Sequence, residues 1–208
     1  PMPGDTTSSV EVSSRFHLQD LTAVGGIRAC FAKSGLGWWA VGEEGLVLRH
    51  NGRDFLPMLV PTNHTLTAVT GVGDTLIAVG ESGIVLRRSA GIWEVIDPPA
   101  AIDLHGVGAL GPDDFYVAGV GGHVWHRENG AWTAMDTGIS YDLFAIHASA
   151  TGGIFAVGDF GTLLERKGDV WLKSQIAGSN ARLRAIWRAP DGRVFVAKYK
   201  GEHLRNVP

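Results

Sequence analysis

Val79-Gly80-Glu81-Ser82-Gly83 recurs along the chain as Val41-Gly42-Glu43-Glu44-Gly45, Ala118-Gly119-Val120-Gly121-Gly122, Val157-Gly158-Asp159-Phe160-Gly161 and Ala197-Lys198-Tyr199-Lys200-Gly201. Their second positions are 38, 39, 39 and 40 residues apart. A sequence that repeats itself at this interval consists of one supersecondary unit stacked against copies of itself, and about 40 residues is the length of one four-stranded propeller blade. The expectation is an all-β, five-bladed β-propeller with four-stranded blades.

Working outward from the repeat, each unit reads as four strands. The first begins at Leu21-Thr22-Ala23-Val24, Leu66-Thr67-Ala68-Val69, Leu104-His105-Gly106-Val107, Leu143-Phe144-Ala145-Ile146 and Leu183-Arg184-Ala185-Ile186. The second runs into the quoted pair as an apolar stretch, such as Leu76-Ile77-Ala78-Val79 or Ile154-Phe155-Ala156-Val157. Such near-continuous runs suit a sheet packed on both faces. Gly45, Gly83, Gly122, Gly161 or Gly201 then turns the chain into the third strand, a place for positive φ. The last unit keeps this glycine but carries Lys198 at the earlier one, so the second glycine is expected to answer the stricter backbone demand. The fourth strand opens on Phe55, Trp93, Trp132 or Trp171 after a glycine-containing turn.

The fifth unit stops at Asn206-Val207-Pro208, before a fourth strand. From each aromatic to the next first-strand Leu is 11 or 12 residues, and counting 11 back from Leu21 lands on Val10, in the alternating Ser9-Val10-Glu11-Val12-Ser13. Residues 9–13 are therefore expected to close the ring as the outer strand of blade five. The single domain then divides into blades at about 21–59, 66–98, 104–137, 143–176 and 183–206 plus 9–13.

The sequence of motifs, Leu-x-Ala-Val, then Val-Gly-x-x-Gly-x-Val-Leu, then Asn-Gly-x-Trp, covers almost the whole chain. It resembles the BNR-like propellers grouped with the photosystem II stability and assembly factor family, which implies the fold more firmly than any role. The turns before Trp93, Trp132 and Trp171 keep a Gly and the Trp but lack the Ser and Asp of the sialidase-type Asp-box, which weakens any transfer of glycosidase activity.

Composition excludes several classes. The 208 residues are 45% hydrophobic and 19% charged, enough for one core. A formal charge of -3 gives no field towards nucleic acid, and no apolar run reaches membrane-spanning length. The lone Cys30 suits a small buried hydrophobe. The start at Pro1 lacks the regions of a signal peptide and fits an initiator Met trimmed before a small residue, so a cytoplasmic or virion-associated protein is expected, or a secreted one if a signal peptide has been removed.

On a propeller, the loops leading into the innermost strands gather at the mouth of the central channel. Those positions are Asp20, Thr65, Asp103, Asp142 and Arg182, with His64, His105 and Arg184 beside them. The Asp residues read as turn caps or, alternatively, as the acid and base of a small glycosidase. His64, His105, His123, His126 and His147 lack the short His-x-x-x-His spacing of a zinc site, so no metal and no cofactor is expected. The regular tryptophans read as packing, whereas Trp187 stands where the other blades have Gly25, Thr70, Gly108 and His147, and reads as a contact residue. Lys198, Tyr199 and Lys200, with Arg182, Arg184 and Arg188, make blade five locally basic, suited to an acidic partner, a sugar acid or a phosphate. The expected function is a non-catalytic module or scaffold that binds a protein partner in a larger assembly, a phage or other particle among them. A lectin-like glycan binder is the alternative.

Overall fold

The structure, a computed structural model, describes residues 26–176, 180–189 and 191–199, and the backbone of 205–207. Sheet one comprises β1 (Ile27–Lys33), β2 (Gly37–Gly42), β3 (Val47–His50) and β4 (Phe55–Pro57). Sheet two comprises β5 (Leu66–Val72), β6 (Thr75–Gly80), β7 (Val85–Ser89) and β8 (Ile92–Ile96). Sheet three comprises β9 (Leu104–Gly111), β10 (Asp114–Gly119), β11 (Val124–Glu128) and β12 (Ala131–Met135). Sheet four comprises β13 (Leu143–Ser149), β14 (Gly153–Gly158), β15 (Thr162–Lys167) and β16 (Val170–Gln175). Sheet five comprises β17 (Leu183–Arg188), β18 (Val194–Lys198) and β19 (Arg205–Val207). Every sheet is an antiparallel meander with its strands in chain order.

The first strands pack on one another in turn, β1 on β5, β5 on β9, β9 on β13 and β13 on β17. The core lies between the sheets. Trp39 and Val41 of β2 meet Leu76 and Ala78 of β6; Ile77 and Val79 look the other way, to Phe115 and Val117 of β10. This alternation repeats through Tyr116 and Ile154 to Phe155 and Val194, and it explains why the second strands carry unbroken apolar runs. Leu66, Leu104, Leu143 and Leu183 are fully buried, each worth about 2 kcal/mol of transfer free energy. Trp93, Trp132 and Trp171 pack against the same cores, as the repeat implied. Arginines tie neighbouring sheets: Arg88 of β7 lies 4.9 Å from the Trp39 ring, and Arg166 of β15 donates to the Tyr116 hydroxyl at 2.7 Å.

The repeated glycines differ in what they answer. The turn N–H after the first glycine donates to the carbonyl just ahead of the same sheet's first strand, as in Glu81 N to Thr65 O at 3.0 Å. A Cβ on Gly80 would stand 1.9 Å from that oxygen, although the glycine's own backbone is extended. Gly83 has φ +80, and its Cβ would stand 2.1 Å from Ala100 O. Both positions are therefore crowded by backbone in this sheet. Sheet five still makes the equivalent bond, Tyr199 N to Arg182 O at 2.8 Å, with Lys198 in place of the first glycine.

The register of sheet one also differs from expectation. Gly80, Gly119, Gly158 and Lys198 pair with Leu66, Leu104, Leu143 and Leu183, and Gly42 pairs with Ile27 rather than with Leu21. The interval between the paired residues is 14 or 15 in the other sheets and 15 from Ile27, against 21 from Leu21, six residues too many for one hairpin. Leu21 and the proposed closing strand 9–13 lie outside the described residues.

Candidate functional site

The first strands converge on a cavity of about 420 Å³. Each opens with a register shift across its second residue, between Ile27 and Ala29, Leu66 and Ala68, Leu143 and Ala145, Leu183 and Ala185, and at the matching point in β9. A bulge of this kind re-aims the unpaired side chain. Here the second residues of all the first strands, Arg28, Thr67, His105, Phe144 and Arg184, line the one cavity, joined by Thr65 and Glu81 at its edge.

Charge is unevenly spent around this wall. Arg28 Nη2 is 2.6 Å from Glu43 Oε1, and the Glu43 carboxylate also accepts from Gly26 N; that backbone bond first, and Arg28 second, hold its pKa below the usual carboxylate value. The Arg184 guanidinium lies 4.0 Å from the Phe144 ring and 5.7 Å from that of Tyr199, with no ion pair among the described residues. His105 leans on Phe144 at 5.5 Å. Burial keeps its pKa below the ordinary histidine value, against the opposing pull of Asp142 and Asp103. The wall thus offers one uncommitted cation beside an aromatic face, with hydroxyls and a neutral imidazole.

The expected site residues distribute as follows. His105, Arg184 and Thr65 line the cavity. Asp103 and Asp142 do not present their carboxylates to it as an acid–base pair: Asp103 Oδ1 accepts from Ser82 N at 2.8 Å and Asp142 Oδ1 from Gly121 N at 2.9 Å. Each caps the turn of the preceding sheet, at a residue with φ +55 or +67, so the Asp staples two sheets and supports a left-handed backbone. Arg182 performs the same join with charge, its Nε 3.0 Å from Asp159 Oδ1. His64 serves through its backbone, accepting from Gly45 N. Tyr199 is exposed beside Arg184, and Lys198 sits opposite Leu183. Trp187 is exposed on β17, beside Phe195 at 5.5 Å; with the corrected register its counterpart in sheet one is Phe31, not Gly25. Asp20 and Lys200 lie outside the described residues. Among the described residues, no group of three or more His, Cys, Asp or Glu is placed to hold a metal ion.

Arg28, Thr67, Glu81 and Phe144 are the cavity residues that sequence reasoning passed over. For Thr67 and Phe144 the signal was the x of Leu-x-Ala-Val, which also holds His105 and Arg184; Arg28 takes that place only in the observed register of sheet one.

A second histidine reports on stability. His147 on β13 has a buried Nε2 without a hydrogen-bond partner among the described residues, and burial first, then Arg188 of β17, lower its pKa. Like His105, it binds its proton more weakly folded than unfolded. The unfolded chain therefore takes up more protons as pH falls below about 6.5, and the stability these histidines contribute, fully present above that value, drops through the window down to the lowered folded pKa. Urea midpoints should be lower at about pH 5 than at about pH 7.5, and His147→Gln should narrow the gap; an unchanged gap would remove His147 from this account.

No protein-family profile and no curated protein sequence matches the chain. Solved structures do. Virginiamycin B lyase from Staphylococcus aureus superposes with a TM-score of 0.75 at 11% identity, over 88% of this chain and 66% of the lyase. YCF48 bound to D1 peptide gives 0.64 at 19% identity, over 83% of this chain and 60% of that one. YCF48 from Cyanidioschyzon merolae gives 0.65 at 16%, over 87% and 66%. These are β-propellers, and the likeness places this all-β chain in that fold class. The chain spans less than two thirds of the length of each of them.

Proposed function

We propose that the chain is a non-catalytic binding module, a ring of five blades whose cavity mouth takes a segment of a protein partner. The observation that carries this reading is the convergence of five bulge-aimed, variable side chains on one cavity of about 420 Å³. Side chains of different chemistry aimed at one cavity from a repeated scaffold suit a recognition surface. The size suits a few side chains of an extended segment, and Arg184 on Phe144 suits a carboxylate within it. The YCF48 structure with a bound D1 peptide supports the choice of a peptide occupant. Glycosidase chemistry gains nothing from Asp103 and Asp142, whose carboxylates are engaged with backbone N–H groups. The lyase likeness, at 11% identity, carries fold alone.

A photo-reactive amino acid placed at Thr67 should capture a polypeptide from the native source. Arg184→Ala should weaken the binding of that partner by about tenfold or more, and Arg28→Ala by less, because Arg28 is already committed to Glu43. Capture that is indifferent to Arg184, or a glycan array that responds while no polypeptide is captured, would replace this reading with another occupant.

A further inference from the structure

Two third-strand residues, one from either side, flank the seam between neighbouring sheets, and the strand register identifies them. Arg49 of β3 pairs with Trp39 and Arg88 of β7 with Leu76, and both partners belong to the core between sheets one and two. Their counterparts between sheets two and three are Arg87 of β7 and Arg127 of β11, paired with Ile77 and Phe115. Between sheets three and four the places are held by His126, stacked on Tyr116, and Arg166, bonded to its hydroxyl.

Two of these seams carry their own acceptors. Between sheets two and three, the Asp113 carboxylate, just ahead of β10, takes Arg127 Nε at 2.8 Å and Arg87 Nη1 at 3.3 Å. Glu94 takes Arg87 Nη2 at 2.8 Å, and the Trp132 indole N–H donates to Asp97 O at 2.8 Å. Between sheets three and four, His126 Nε2 is 2.8 Å from Asp114 Oδ1. Arg166 there reaches the Tyr116 hydroxyl with Nη1 and Asp169 with Nη2, although its Nε has no acceptor among the described residues.

The seam between sheets one and two has the donors without the carboxylate. The Arg49 and Arg88 guanidiniums lie 5.5 and 4.9 Å from one and the same Trp39 ring, and neither makes an ion pair among the described residues. Arg88 Nε, the counterpart of the Arg127 Nε that Asp113 receives, is buried with no acceptor among those residues. So is the indole N–H of Trp93, which pairs with Arg88 across the strands and corresponds to Trp132. Asp74, just ahead of β6, stands at the repeat position of Asp113, yet it is exposed and makes no ion pair among the described residues. Burial first, and the Arg49 charge second, lower the Arg88 pKa. Like charges gathered partly out of water, and buried N–H groups without acceptors, both raise the free energy of this seam. One oxyanion relieves both, because a guanidinium presents parallel N–H donors to a carboxylate or a phosphate.

We propose that the seam between sheets one and two binds an oxyanion, a carboxylate or a phosphate group, held by Arg49 and Arg88 beside the Trp39 indole as the Asp113 carboxylate is held by Arg87 and Arg127 in the next seam. The site lies at the end of the sheets away from the cavity: Arg88 is level with Leu76, near the turn from β5 to β6, whereas the cavity residue Thr67 stands at the start of β5. It therefore does not rest on what occupies the cavity.

The native chain, titrated with inorganic phosphate and separately with acetate at constant ionic strength, reports through its arginine Nε–Hε and indole N–H NMR signals. With at least one of the two probes, the signals of Arg49, Arg88 and Trp93 should move along a single saturable curve, while those of Arg87 and Arg127, already on Asp113, stay in place. The probe that binds at the lower concentration names the oxyanion. Arg49→Gln and Arg88→Gln should each raise the Kd about tenfold or more. Asp113→Asn should add a second saturable response, at Arg87 and Arg127, by giving their seam the same unmet need. Three results overturn the site: no shift at Arg88 with either probe; Arg87 and Arg127 moving in step with it in the native chain, which is general screening of surface charge; or a response that appears only in Asp74→Asn, which would make Asp74 the built-in counter-ion.

Discussion

Gly80→Ala is expected to lower the stability of the protein by about 3 kcal/mol, a large part of what a domain of this size holds in reserve. The added methyl would stand 1.9 Å from Thr65 O, 2.9 Å from Thr65 C and 3.0 Å from Leu66 Cα, all backbone at the entry to β5. No rotamer change relieves such a contact. Either β5 shifts, disturbing the fully buried Leu66, or the turn lifts and the bond from Glu81 N to Thr65 O is lost. Overpacking costs about 1–3 kcal/mol and an abandoned buried hydrogen bond about 1–3 more. Gly73→Ala is the control, a positive-φ glycine with open space around it, where only the left-handed backbone is charged against the alanine, at about 1 kcal/mol. Urea titration should show a lower midpoint with an unchanged slope for Gly80→Ala. Equal costs at the two sites would mean that the approach of turn to strand is not a constraint.

That contact also shows where sequence stops being legible. The Val-Gly pair announced the period and the strand preceding it, because apolar runs and glycines are local signals that survive in any context. What the first glycine was for could not be read, since the carbonyl it makes room for comes from a residue 15 positions earlier and is brought there only by the fold. The same limit misplaced blade one. Leu21-Thr22-Ala23-Val24 repeats the letters of Leu66-Thr67-Ala68-Val69, and Ile27-Arg28-Ala29-Cys30 does not, yet it is Ile27 that pairs with Gly42. Spacing to the turn was the stronger constraint, because hairpin length is set by geometry and letters are not. At the cavity, His105, Arg184 and the Asp turn caps were readable from repeat position. Arg28, Thr67 and Phe144 were not, because a variable x in a regular motif looks like tolerance until a bulge aims it at a common centre. In the observed register the counterpart of Trp187 in sheet one is Phe31, another aromatic, rather than Gly25.

Deleting residues 1–20 is expected to abolish cooperative unfolding at the native midpoint, whereas deleting residues 1–9 should leave it nearly unchanged. Among the described residues sheet five has three strands with β19 at its margin, where sheets one to four have a fourth. A margin of this kind exposes a row of backbone donors and acceptors that pairs with whatever strand is available. Residues 9–13, which the repeat spacing offers as that strand, lie outside the described residues. A charge placed in an outer strand disturbs its packing, so Val10→Asp should lower the urea midpoint, by about 1 kcal/mol or more of stability; an unchanged midpoint would take residues 9–13 out of this role. An unchanged midpoint for the 1–20 deletion would mean that β19 needs no fourth strand, and that the ring, if it closes, closes by its faces alone.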